Sequence, residues 1–380
     1  MLKNQTFHVE HSPFGLYIHV PFCVSKCGYC DFCRVTDFSL VDGYLATLEH
    51  EMHESIFRGL TPTTLYIGGG TPSSLGCSRL ERLLKMITDI FDLSKVDEFT
   101  VECNPDDVSS DMVSVLKNFG VNRVSMGVQS LYDEILKFMG RRHNAEQVYV
   151  AINNLRKGGI NNISVDCIYG LPLLNTDYSA EADFAKFIDL GVEHLSAYAL
   201  SYEEGSRFSQ LVDDGKLEPL SDDEVADQYV LLIDMMRRAG YEHYEISNFA
   251  LPSRRALHNS SYWCRTNYVG FGPAASSLIS GVRSTNTYDV KEYISTNSEA
   301  KTLVETLTEK DIYEEEVMLR LRTMDGLQEQ DLPEKFRVRF TEVAIRENEW
   351  GNVEQLTNGN WRINEERWFV SNSIIERFFF

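Results

Sequence analysis

Residues 16–33 read LYIHVPFCVSKCGYCDFC. Leu16 to Val20 alternate in polarity and are rich in strand-forming side chains, so they read as a β-strand. The loop behind it puts Cys23, Cys27, Cys30 and Cys33 into twelve residues. Three of these stand at C-x3-C-x2-C, a spacing at which each thiolate can take one corner of a [4Fe–4S] cube and leave the fourth iron open. Zinc bound by all four thiolates is the rival reading. One short continuous loop closes a tetrahedron poorly, because zinc sites usually draw ligand pairs from separated knuckles.

Outward from this loop, strand-like and helical stretches alternate at intervals of roughly 30 residues, the rhythm of βαβ units. A helical stretch from Ser39 to Phe57 leads to TTLYIGGG (63–70), and another from Arg79 to Phe91 leads to EFTVEC (98–103). RVSMGVQ (123–129), NISVDCIYG (162–170) and EHLSAYAL (193–200) follow, making six units. Six parallel units make either an open doubly wound sheet or a barrel. In unit after unit the polar or glycine-rich residues fall at the C-terminal end of the strand, where barrels build their sites. A partial (β/α)6 TIM-like barrel is therefore expected, with Cys23, Gly68 to Gly70, Glu102, Gln129 and Asp166 converging on one face. Strand order is not readable from spacing. Because side chains alternate along a strand, inward Glu102 and Asp166 require Cys103 and Cys167 to pack outward.

This core is expected over residues 1–290, with the cysteine loop at 22–33 and a small α+β domain over 291–380. LTEKDIYEEEVMLRLRTMDGL (307–327) reads as one amphipathic helix stopped near Gly326. Asn358-Gly359 then marks a hairpin turn inside VEQLTNGNWRIN (353–364). Helices followed by a hairpin outline a winged-helix-like shape.

The formal charge of −21 argues against nucleic acid, which needs Lys and Arg to neutralise its phosphates. Residues 1–15 lack the apolar run of a signal peptide, and no stretch is long and apolar enough for a membrane span. A cytoplasmic chain with reduced thiols is expected, and there clustered cysteines point to metal binding or redox chemistry.

GLYIHVPFC, YCDF, GGGTPS, VECNP, RVSMGVQS, GRRHNAEQ, VDCIYGLP, HYEISNFA and HNSSYW occur in this order across most of the chain. As a set they resemble the radical S-adenosylmethionine (SAM) family, and within it the branch of oxygen-independent coproporphyrinogen III oxidase and the HemW heme chaperones. The resemblance implies that Cys23, Cys27 and Cys30 hold a [4Fe–4S] cluster whose fourth iron is chelated by S-adenosylmethionine, which one electron can cleave to a 5′-deoxyadenosyl radical. It implies that Gly68, Gly69, Gly70 and Thr71 contact the cofactor's methionine part, with Tyr17 beside the sulfonium and Phe22 flanking the loop. Glu102, Gln129 and Asp166 would lie near the adenosine, with Asp166 on the ribose hydroxyls. Arg141, twelve residues after Gln129, matches the arginine that pairs with the methionine carboxylate. The extra cysteine of the oxidases falls on Phe32 here, so Cys33 reads as a packed or spare thiol.

Two readings from different classes follow from the resemblance. One is an oxidase that decarboxylates two propionates of coproporphyrinogen III. The other, favoured here, is a chaperone that binds heme and delivers it. Only 22 residues precede Cys23, Phe32 replaces the oxidase cysteine, and HNSSYW matches a motif associated with heme in the chaperones. His258 would then be an axial ligand, with Tyr262 and Trp263 offering flat apolar surface. The competing reading of His258 is a hydrogen-bonded structural histidine. The expected partners are heme, an acceptor that is a respiratory membrane protein or a heme-storing protein, and a flavodoxin or ferredoxin as electron donor. A homodimer, and membrane association through a partner, are left open.

Overall fold

The computed structural model describes residues 13–172 and 177–380. Its strands are β1 (Phe14–Val20), β2 (Thr64–Gly69), β3 (Glu98–Cys103), β4 (Arg123–Gln129), β5 (Asn162–Tyr169), β6 (His194–Ala199), β7 (Glu242–Glu245) and β8 (Asn248–Ala250). They continue with β9 (Asn267–Phe271), β10 (Ser276–Ile279), β11 (Val282–Asn286), β12 (Lys301–Thr306), β13 (Val353–Gln355) and β14 (Trp361–Ile363). All six strands expected from the sequence form. Two compact units result: Met1–Cys167 with Leu200–Glu218 and Thr266–Glu305, and Ile168–Ala199 with Pro219–Arg265 and Thr306–Phe380.

In the first unit the strand order is β12-β11-β10-β9-β1-β2-β3-β4-β5. β1 to β5 are parallel and adjacent in chain order, and β9 joins β1 in parallel on its other side. Helices α1 (Val41–Glu54), α2 (Gly76–Ile90), α3 (Ser110–Asn118), α4 (Asp133–Met139) and α5 (Ala145–Lys157) lie between these strands in the chain. Their ends are set locally. Ser109 caps α3, an Asn144–Gln147 capping box opens α5, and left-handed Gly140 stops α4.

Alternation sorts each strand into two faces. Leu16, Ile18, Leu65, Ile67, Val101, Val124, Met126, Ile163 and Val165 are buried on one face, each worth about 1.5–3 kcal/mol of apolar burial. The other face is polar on nearly every strand: Tyr17 and His19, Tyr66, Thr100 and Glu102, Arg123 and Ser125, Ser164 and Asp166. Cys103 and Cys167 are buried on the apolar side, as the alternation required. An apolar outer face against helices and a polar inner face is what a sheet built around a polar ligand needs.

In the second unit β6-β8-β7 is an antiparallel ladder, and β13 and β14 form the hairpin around Asn358-Gly359. The helix expected to run to Gly326 covers Glu309–Arg320 only. Thr323 bridges to Glu245 and the Met324 amide donates to the Tyr244 carbonyl at 2.9 Å, so strand-like pairing takes the residues that would have been the last turns. His194 and His243 serve the core: His194 shares a hydrogen bond with the Tyr244 hydroxyl at 2.8 Å, and His243 stacks on Phe249. Among the described residues, no helix is long and apolar enough to cross a membrane.

Candidate functional site

Strands β1 to β5, mostly toward their C-terminal ends, and the loops behind them carry the candidate residues of the first unit. β1 runs into Phe22, whose ring is fully buried against Phe38 and Tyr44, with centroids 5.7 and 5.3 Å away. Phe22 therefore acts through its backbone. Its carbonyl accepts from the Thr71 amide at 2.8 Å and the Ser74 hydroxyl at 3.1 Å. The Gly70 amide donates to the Val20 carbonyl at 2.8 Å. The GGGTPS turn after β2 thus clamps the root of the cysteine loop. Gly69 has φ +114°, and a Cβ there would lie 2.8 Å from the His19 ring, so only glycine fits.

The loop itself is tied at several points. The Cys23 amide donates to the Val35 carbonyl at 3.1 Å, and the Gly28 amide donates to the Met139 carbonyl at 2.9 Å. Arg34 donates to the carbonyls of Cys30 and Phe32. Cys23 Sγ lies 3.5 Å from Thr71 Oγ1, and Arg141 Nη1 donates to Cys27 Sγ at 3.3 Å. Burial raises the Cys23 and Cys30 thiols above their usual range, and the neighbouring thiols add to it. Cys23 and Cys30 thus favour the protonated thiol until a cation is present to hold the thiolates.

Arg141 follows Gly140 and reaches the cysteine loop and the end of β4. Its Nη2 donates to Asn104 Oδ1 at 2.7 Å and to the Gly127 carbonyl. Burial opposes its charge, but the Tyr29 hydroxyl and the Cys27 thiol beside it hold the guanidinium ionised. Its Nε is buried and has no partner among the described residues. Glu102 accepts from the Tyr66 hydroxyl at 2.7 Å and the Gly69 amide at 3.1 Å. Burial pushes its carboxyl up to about 7; the Tyr66 hydrogen bond opposes the shift and the charge of Asp166 adds to it. Gln129 ends β4 with φ +73°, beyond an irregularity in the β4–β5 register. Asp166 stands level with Gly127 across that ladder.

A cavity of about 750 Å³ opens here, lined by Tyr17, His19, Gly69, Glu102 and the 31–35 end of the cysteine loop. Sequence reasoning passed over His19. Its Nε2 faces the Cys33 carbonyl at 3.1 Å, so Nε2 carries the proton, and Nδ1 accepts from the Tyr17 hydroxyl at 3.0 Å. Burial holds His19 neutral, down at about 4. Tyr66 and Asn104 were missed too. The signal for Tyr66 and His19 was present, since each sits two residues from a chosen site position on the same strand. Asn104 had no such signal. Cys33 donates to the Tyr288 carbonyl at 3.0 Å, and burial pushes its thiol up to about 11.

The HNSSYW segment lies on the helix Leu257–Trp263 of the second unit. His258 is 1% exposed, and its Nε2 shares a 2.8 Å hydrogen bond with the Tyr262 hydroxyl. The two rings meet edge to face. Trp263 is half-buried.

Strand ends, a three-cysteine loop and a polar cavity beside it define a protein of the radical SAM class, and residues 17–188 match the Radical SAM superfamily. The fold agrees: coproporphyrinogen III oxidase (HemN) from Escherichia coli, a radical SAM enzyme, superposes with a TM-score of 0.80 over 97% of this chain and 90% of that one, at 23% identity. The sequence is nearer to other members. The heme chaperone HemW of Lactococcus lactis is 37% identical over 96% of this chain and 97% of its own length. That of Bacillus subtilis is 38% identical over 84% and 86%, and that of Escherichia coli 33% identical over 71% of each. The chain belongs to the HemW heme chaperone family.

The family implies a [4Fe–4S] cluster and S-adenosylmethionine, and the residues present fit them. Among the described residues no three His, Cys, Asp or Glu side chains gather tightly enough for a single metal ion. A cube does not require that, because each thiolate binds its own iron. Beside Cys27 the unpartnered Arg141 Nε is a buried cationic donor suited to a carboxylate.

Proposed function

We propose that this chain binds heme and transfers it to an acceptor protein, and that it carries a [4Fe–4S] cluster and S-adenosylmethionine in its first unit. The observation that carries the reading is near full-length similarity to a heme chaperone, at 37% identity over 96% of the chain. When bound, cluster and cofactor supply one-electron chemistry that no side chain has. Cys23, Cys27 and Cys30 hold the cluster, and Thr71 and Arg141 stabilise its thiolates by hydrogen bonding to Cys23 and Cys27. Arg141 also offers its spare donor to the cofactor's carboxylate. Gly68 to Gly70 let the backbone approach the methionine part, and Tyr17 presents its ring to the sulfonium. Gln129, Asp166 and Glu102 receive the adenosine, with Asp166 on the ribose.

His258 is the candidate axial ligand for heme iron, with Tyr262 and Trp263 against the macrocycle. Since His258 Nε2 is engaged by the Tyr262 hydroxyl, ligation through that nitrogen requires the hydroxyl to give way. The acceptor is a respiratory membrane protein or a heme-storing protein, and a flavodoxin or ferredoxin reduces the cluster. A cytoplasmic protein working at a membrane through its partner is consistent with these roles.

The test is an anaerobic reconstitution followed by heme titration, read by visible absorption, with His258→Ala alongside. Saturable binding that the substitution weakens or changes spectrally supports both the chaperone and the ligand. Absent binding sinks the chaperone reading, and turnover of coproporphyrinogen III becomes the next assay. Binding indifferent to His258 removes that residue as the ligand.

A further inference from the structure

β4 pairs with β5 in register as far as Gly127↔Asp166, but the next pair is Gln129↔Cys167. Val128 is therefore one extra residue, a β-bulge, and bulges re-aim the side chains beside them. Gln129 takes φ +73°, a left-handed conformation that is uncommon for a residue with a side chain. Such a conformation persists only where its surroundings over-determine it. Two side chains from the segment after α4 supply that determination. Arg141 Nη2 donates to the Gly127 carbonyl, and His143 Nε2 faces the Val128 carbonyl at 3.1 Å. Both bulge carbonyls are thus held by residues two apart in GRRHN.

His143 is 3% exposed. A carbonyl can only accept, so Nε2 carries a proton and donates it to Val128. Burial, with the charge of Arg141 adding to it, brings the ring's titration down to about 3 and keeps it neutral. Gly127 completes the arrangement. A Cβ there would lie 2.9 Å from Gln129 Nε2 and 3.2 Å from Arg141 Nη2, so a side chain at this position would collide with both.

We infer that His143 is a positioning residue for S-adenosylmethionine: by holding the Val128 carbonyl it locks the β4 bulge, and the bulge aims Gln129 at the adenosine. His143 touches neither cluster nor cofactor. The inference rests on the proposed role of Gln129, and the experiment separates the two.

Cluster-reconstituted wild type, His143→Leu, His143→Gln, Gln129→Ala and the Gln129→Ala/His143→Leu double variant are titrated with S-adenosylmethionine by calorimetry, at matched iron and sulfide content. His143→Leu should weaken binding about tenfold, equivalent to about 1.4 kcal/mol. His143→Gln keeps a donor and should recover most of that. In the Gln129→Ala background the His143 substitution should cost nothing further, because its effect passes through Gln129. Unchanged affinity in His143→Leu, or additive losses in the double variant, would overturn the inference. Should His143→Leu fail to fold, His143→Gln decides: affinity near wild type upholds the inference, and a tenfold loss with the cluster retained overturns it. If Gln129→Ala binds as well as wild type, the role of Gln129 is wrong and the inference falls with it.

Discussion

Replacing Gly70 by alanine places a methyl carbon 2.7 Å from the Phe22 carbonyl oxygen and 3.0 Å from both the carbonyl carbon and the amide nitrogen of that residue. The closest approach is roughly 0.7 Å short of the 3.4 Å at which ordinary contact begins. All three atoms are backbone, so no rotamer change relieves the clash. Phe22 cannot retreat as a unit either, because its ring is wedged between Phe38 and Tyr44. Overpacking of this kind costs about 1–3 kcal/mol, against a net stability of about 5–15 kcal/mol for a typical folded domain. The chain therefore stays folded, and the displacement is passed to the next residue, Cys23. Anaerobic reconstitution should give a Gly70→Ala protein with well under the wild-type iron and sulfide per chain, and with weakened S-adenosylmethionine binding. Gly59→Ala is the control. Its φ is +78° with open space around it, so it should lose about 1–2 kcal/mol of stability through backbone strain while keeping its cluster. A Gly70→Ala protein with a full cluster and wild-type cofactor affinity would refute the clamp.

Other expectations follow from the same geometry. Cys33→Ser should retain wild-type iron and sulfide, whereas Cys30→Ser should lose most of both; equal losses would bring Cys33 into the ligand set. Glu245 is fully buried, and burial pushes its carboxyl up from 4.5 to about 7. The folded state then keeps a proton that the unfolded chain releases, so this group's contribution is whole below 4.5 and is lost as pH rises to about 7. Glu245→Gln should remove that loss. Its unfolding free energy should gain on wild type across this window, by on the order of 3 kcal/mol at most, and the difference should level off above it. Urea denaturation at several pH values checks this, and a pH-independent difference would refute it.

Much of the site was legible because its signals are local. A strand announces itself by alternation, so Glu102 and Asp166 could be set on the polar face and Cys103 and Cys167 on the apolar one. The three candidate ligands were legible because they share one loop, where spacing in sequence limits spacing in space. Phe22 was less legible. A residue beside the loop was expected at the cofactor, but its aromatic ring fills the core and only its backbone serves the site. The helix that ends at Arg320 was misjudged because periodicity does not register a competing pairing with β7, some 80 residues earlier in the chain.

The sequence by itself determined the βα rhythm, the two faces of each strand, the three-cysteine loop and the family. These depend on the period of the backbone and on residues close together in the chain. The tertiary structure alone decided which groups meet: Arg141 with Cys27 and Asn104, Tyr66 with Glu102, His143 with the Val128 carbonyl, Tyr262 with His258. Most of these pairs join different strands and loops, and whether two such donors and acceptors come within 3 Å depends on register, bulges and turn geometry together. It also decided that His258 is a buried, hydrogen-bonded histidine at rest, since burial is a property of packing that no short motif carries.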